Sequence, residues 1–176
     1  RDFWRFGTSR TAAQKFVATA GTQILKDDGD GVWDVLLTGW GAAAARVSIT
    51  IGQGQAIFAT TNGTDAPQVW DGSAGTASAL GGTPPTFAFS SYHQRRLWVA
   101  GAAANMSRVN FSAGGDIATW SGADSSNVIM DEDDSDQVIG LSRTFRRRLY
   151  AFKGPNLGSV WEITGTSPST YDRSKI

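Results

Sequence analysis

The sequence predicts an all-β, propeller-like fold built from repeated four-stranded antiparallel blades. Two observations carry this. Glycine, tryptophan, threonine, serine and valine are abundant, with 21 Gly and seven Trp among 176 residues, a composition that suits strands joined by tight turns. Four segments also align with one another: "KFVATAGTQILKDDGDGVWDVL" (15–36), "QAIFATTNGTDAPQVWDG" (55–72), "RLWVAGAAANMSRVNFSAG" (96–114) and "RLYAFKGPNLGSVWEITG" (148–165).

Each segment opens with an apolar strand, turns at a glycine (Gly21, Gly63, Gly101, Gly154) and continues into a second strand. That second strand carries Trp70, Phe111 or Trp161 in the last three copies, and Ile24 and Leu25 in the first. The glycines stand 42, 38 and 53 residues apart, which straddles the roughly 40–50 residue period of propeller blades. Further strands are expected at "ARVSITIG" (45–52), "TFAFSSY" (86–92), "SNVIMDE" (126–132) and "QVIGLSR" (137–143), which bring each hairpin to about four strands. "TAAQKFVATA" (11–20) comes closest to a helical pattern, yet its β-branched residues and the following Gly-Thr favour a strand. "GGTPPT" (81–86) and "GTSPST" (165–170) are connections, because proline cannot sit in a central strand. The expectation is one unit over 1–176 with about four repeats, cut from a longer chain: "RDFWRFGTSR" and "STYDRSKI" both read as mid-protein sequence.

Strand alternation nominates a core. Phe16, Ala18, Phe58, Leu97, Val99, Leu149 and Ala151 are expected inside, with Trp70, Phe111 and Trp161. Trp98 and Trp120 read as packing residues.

Chemistry is sparse. The chain has no cysteine and a single histidine, His93, which excludes thiolate metal sites, a cysteine nucleophile and two-histidine zinc motifs. No G-x-S-x-G is present, and "GQGQAI" (52–57) precedes no helix and no Walker lysine. Formal net charge is zero, so the chain as a whole has no electrostatic attraction to nucleic acid or membrane. No apolar run approaches the roughly 20 residues of a membrane span. "DDGDG" (27–31) resembles the start of a calcium loop through Asp27, Asp28 and Asp30, but the distal Glu is missing and Asp-Gly also marks a hairpin turn. "DEDDSD" (131–136) places five carboxylates in six residues. It either is solvated, binds a cation, or faces Arg146, Arg147 and Arg148 of "FRRRLY". A hard cation, if any is bound, is expected at Asp28 and Asp30 or at 131–136. "RRLW" and "RRRLY" are either a basic stripe or strand-edge arginines. "VWD" at 32–34 and 69–71 is not a WD40 signature, since Trp33 follows its turn glycine by 12 residues and Trp70 by seven.

The stretches "GTDAPQVWDG" (63–72), "GGTPPTFAFSSYHQRRLWVAG" (81–101), "NMSRVNFSAGGDIATW" (105–120) and "RRLYAFKGPNLGSVWEITG" (147–165) resemble the tail nozzle, hub or stabilisation proteins of tailed bacteriophages. The likeness covers roughly residues 15–165. It implies a virion structural protein, located in the phage tail and present as a homo-oligomeric ring. Its neighbours would be the portal or adaptor and other tail proteins, and viral DNA would pass without sequence-specific contact. The pattern contains no catalytic, cofactor-binding or metal-binding residues, so none is assigned and the chain is expected not to be an enzyme. Family members are several times longer, which implies further blades before Arg1 and after Ile176. The alternative is a carbohydrate- or receptor-binding propeller module of the tail tip, using Trp4, Trp40 and Trp120 as stacking platforms. A hydrolytic propeller is the third reading, and its acid pair has no assigned residues.

Overall fold

The computed structural model describes residues 15–41, 46–142 and 148–176, together with the backbone of 3–6. Arg146, Arg147 and the side chain of Trp4 lie outside the described residues. Among the described residues sixteen strands form four separate four-stranded antiparallel sheets. The first contains β1 (Phe3–Phe6), β2 (Lys15–Ala20), β3 (Gln23–Asp27) and β4 (Asp34–Leu37). The second contains β5 (Val47–Gly52), β6 (Gln55–Thr60), β7 (Gln68–Trp70) and β8 (Ser78–Ala79). The third contains β9 (Phe89–His93), β10 (Arg96–Ala100), β11 (Arg108–Phe111) and β12 (Ser126–Ile129). The fourth contains β13 (Gln137–Leu141), β14 (Leu149–Gly154), β15 (Ser159–Thr164) and β16 (Asp172–Lys175). Every sheet is a meander in chain order. The four aligned segments are thus its second and third strands each time, and the all-β expectation holds.

The turns follow from local chemistry. β5 and β6 join through Gln53 and Gly54, and β9 and β10 through Gln94 and Arg95, with φ positive at both residues in each pair. Two left-handed residues in a two-residue hairpin match the right-handed twist of the strands. Gln94 is kept in this uncommon conformation for a non-glycine residue by the fourth sheet: its Nε2 donates to Gly165 O at 2.8 Å, and its Oε1 accepts from the Tyr171 hydroxyl at 3.2 Å. Gly21, Gly63 and Gly101 adopt positive φ as turn glycines. In the fourth hairpin that role falls to Gly158, at φ 65°, while Gly154 closes β14.

Each sheet packs face against face on the next. Val17, Ile24, Leu36, Phe58 and Trp70 join the first sheet to the second. Ile57, Ala59, Leu97 and Val99 join the second to the third. Trp98, Phe111, Leu149, Ala151 and Ile163 join the third to the fourth. Among the described residues no such cluster joins the fourth sheet to the first, and no closed ring forms.

Each second strand therefore has a forward face, toward the following sheet, and a backward face, toward the preceding one. Val17, Ile57 and Trp98 point forward, whereas Phe58, Val99 and Ala151 point backward. All seven of the aliphatic, alanine and phenylalanine core residues expected from the second strands lie on backward faces. Phe58, Leu97, Val99, Leu149 and Ala151 are buried as expected, with Trp70 and Phe111. Phe16 and Ala18 are only partly buried, because among the described residues no core cluster covers the backward face of the first sheet; Val17 and Thr19 are the buried pair there. Trp161 is also only partly buried, packed against the third-to-fourth cluster.

Candidate functional site

The acidic run 131–136 lies between β12 and β13 and is organised around a lysine from another strand. Lys153 shares its backward face with Leu149 and Ala151, so its stem runs between the third and fourth sheets. Its Nζ donates to Asp134 Oδ1 at 2.5 Å, to Ser107 Oγ at 3.3 Å and to Met130 O at 3.4 Å, and also to Asp131 O. The lysine side chain is fully out of solvent and that of Asp134 nearly so. The ammonium fills the place that the sequence offered to an external cation. Its hydrogen bond to Asp134 holds that carboxyl below the ordinary carboxylate range.

Asp136 has a second structural task. It is buried, and its carboxylate accepts three backbone N–H bonds from Asn156, Leu157 and Gly158 at 2.7, 3.0 and 2.9 Å. Burial opposes its charge, and the bonds from 156–158 outweigh that, so its pKa falls. Glu132 lies 3.9 Å from Arg108 across a cleft of about 260 Å³ also lined by Met106 and Asp136. Of the arginines that the run had the alternative of facing, Arg148 is the one described, and it is paired elsewhere. Arg148 reaches Glu162 of its own sheet at 2.5 Å: Glu162 lies opposite Tyr150, two residues along from Arg148 on the same face.

The "DDGDG" loop is the β3–β4 turn. Asp27 Oδ1 accepts from Gly29 N at 2.7 Å and Gly31 N at 3.2 Å, and Asp30 Oδ1 accepts from Val32 N at 2.9 Å. Asp28 pairs with Lys26 at 2.6 Å and Lys15 at 3.2 Å; these two cations, Lys26 first, lower its pKa. Among the described residues no group of three His, Cys, Asp or Glu side chains is arranged to hold a metal ion.

The paired arginines separate. Arg95 is exposed, whereas Arg96 is buried and donates to Ser112 O at 3.0 Å and to Asp124 Oδ1 at 2.5 Å. Its guanidinium lies over Phe111 and Tyr171, at 5.6 and 5.9 Å from the ring centroids. His93 is buried with its ring 6.3 Å from that of Trp98, and burial lowers its pKa. Trp40 donates its indole N–H to Ala66 O at 2.9 Å and packs on the first-to-second cluster. Trp120 packs on the second-to-third cluster, with a buried indole nitrogen that has no hydrogen-bond partner. The two "VWD" tryptophans differ as their spacing implies: Trp70 is buried and Trp33 exposed.

The sequence reading missed Lys153, Asp124, Gln94 and Tyr171. Only Lys153 carried a local signal, its register with Leu149 and Ala151 on an inward face. The other three act through contacts between segments far apart in the chain. No family model matches the chain, and no curated protein matches it.

Proposed function

We propose that this chain is a structural protein of a bacteriophage tail, of the nozzle or hub type, whose sheets are propeller blades. In this reading several copies assemble as a ring in the virion, between the portal or adaptor and the other tail proteins, around the path of the ejected DNA. The role is architectural and includes no catalytic step.

The observation that carries the reading is what the polar residues of the phage-like pattern do. Asp65 Oδ2 accepts from Thr60 Oγ1 at 2.7 Å and Asn62 Nδ2 at 2.8 Å. Asp71 Oδ1 accepts from Ser73 N and Ala74 N, both at 2.8 Å. Asp116 accepts from Ala118 N at 2.8 Å and Thr119 Oγ1 at 2.7 Å. Ser112 Oγ accepts from Leu97 N at 3.1 Å, and Lys153 holds the 131–136 loop. Side chains spent on fixing turns suit a scaffold. Zero net charge suits a conduit, since each phosphate contact along the wall would hold the DNA back.

Purified particles of the phage encoding the chain test this. Mass spectrometry is expected to find the chain in multiple copies per virion, and gold-labelled antibody to mark the tail. Absence from particles would end the reading. Labelling confined to the tail tip, with binding on a glycan array, would replace it with the receptor-binding alternative.

A further inference from the structure

The β10–β11 and β12–β13 connections meet at one end of the third and fourth sheets. Val138 N donates to Met106 O at 2.7 Å and Met130 N to Ser107 O at 2.8 Å, which fixes the 105–108 segment against the acidic run. Lys153 and the backbone of 156–158 hold the run from its other side. The cleft of about 260 Å³ between the two connections is therefore ready-formed, and a ligand entering it has little to order. Its size falls below the roughly 300 Å³ at which drug-sized sites begin, so the ligand is small.

Arg108 and Glu132 line the cleft without satisfying each other. Arg108 Nη2 and Glu132 Oε1 are 3.9 Å apart, too far for a hydrogen bond. Arg108 Nε is out of solvent and has no acceptor among the described residues. A buried donor in that state favours a ligand that supplies one. An oxygen seated beside the line from Nη2 to Oε1 reaches both at about 2.8 Å. To serve both it must accept from the guanidinium and donate to the carboxylate, which is what a hydroxyl does. Asn105 and Ser135, both exposed at the cleft, add an amide and a hydroxyl of the same dual character. Met106, 51% exposed, adds an apolar wall.

Charge disfavours the simpler ligands. Glu132 and Asp136 in the lining, with exposed Asp133 beside them, outnumber the one guanidinium, so an anion meets net repulsion. A cation meets Arg108, and among the described residues no three acids converge to hold one.

We propose that this cleft binds a small neutral polyhydroxyl ligand, a single sugar ring or the end of a glycan. One hydroxyl bridges Arg108 and Glu132, and the C–H face of the ring lies on Met106. The site is distinct from Trp40 and Trp120, whose rings pack on core clusters. The inference goes beyond the architectural role and does not depend on it.

Amide chemical shifts of the isotope-labelled 176-residue chain test it, in separate titrations with the methyl glycosides of glucose, galactose, mannose and N-acetylglucosamine, and with acetate. At least one sugar is expected to shift signals of 104–108 and 132–136 at millimolar concentration. Glu132→Ala, at an exposed side chain, and Arg108→Lys, which keeps the charge and loses the fork, are each expected to weaken that binding by about tenfold. Should Arg108→Lys fail to fold, Glu132→Ala decides alone. No shift with any of the sugars overturns the proposal. So do sugar-induced shifts at Trp40 or Trp120 in place of the cleft, a response to acetate alone, or binding that Glu132→Ala leaves intact. None of these results bears on whether the chain is found in particles, so the two readings fail separately.

Discussion

Lys153 Nζ lies 2.5 Å from Asp134 Oδ1, an ion pair closed off from solvent between two sheets. Removing one partner of a buried pair leaves an uncompensated charge, which is far worse than removing both. Lys153→Met is expected to destabilise the chain by about 3 kcal/mol in urea unfolding. The double variant Lys153→Met with Asp134→Asn is expected to lose clearly less than the two single losses added together. Additive losses would mean the two residues act independently.

The same pair sets an acid limit. Asp134 has a lower pKa folded than unfolded, so between the two values the unfolded chain binds more protons. Its contribution is complete above the unfolded value of about 4 and is lost as pH falls through the folded one. Wild-type stability is expected to drop below about pH 4, and Asp134→Asn to flatten that drop.

His93 predicts a second slope at higher pH. Burial depresses its pKa from 6.5, so the folded state resists protonation. Stability is complete above the unfolded value and falls as pH is lowered through it. Urea midpoints are expected to decline from pH 7 to 5, and His93→Gln to remove most of that decline. An unchanged slope in the variant would place its origin elsewhere.

Gly63 meets the third sheet closely. It has a φ of +68°, and an added Cβ would lie 2.2 Å from Gly101 O. Gly54, at φ +72°, has nothing within 4 Å of that position. Gly54→Ala is expected to cost only the left-handed strain, about 1 kcal/mol. Gly63→Ala must also push two backbones apart, and is expected to cost at least twice as much by thermal unfolding.

Tyr171 ties the fourth sheet to the third. Its ring lies edge-on to Trp98 at 4.8 Å and to Phe111 at 5.0 Å. Tyr171→Ala is expected to cost about 2 kcal/mol, from lost area and ring contacts. Tyr171→Phe, which keeps the ring and loses the hydroxyl with its bond to Gln94 and its interaction with Arg96, is expected to cost about 1 kcal/mol. Hydrogen exchange should show the alanine loss concentrated in β14 to β16.

The strands and their fourfold recurrence were legible in the sequence, because alternation and turn residues are local properties of a few neighbouring side chains. "QAIFAT", "RLWVA" and "RLYAF" each became the second strand of a sheet for that reason. The hidden role of the acidic run was not legible. Lys153 reaches Asp134 from 19 positions away, and proximity in sequence pointed instead to Arg148, which the sheet register delivers to Glu162.

What alternation cannot say is which of a strand's two faces a neighbour will cover. In the second and third sheets both are covered, so Phe58, Leu97 and Val99 had to be buried whichever face was chosen. Among the described residues the first sheet packs a neighbouring sheet on its forward face alone, so Val17 is buried and Phe16 and Ala18 are only partly so. By itself the sequence determined the sheets and the two faces of each. The tertiary structure alone decided which faces lost their water, because burial belongs to the contact between sheets and not to the strand that presents the side chain.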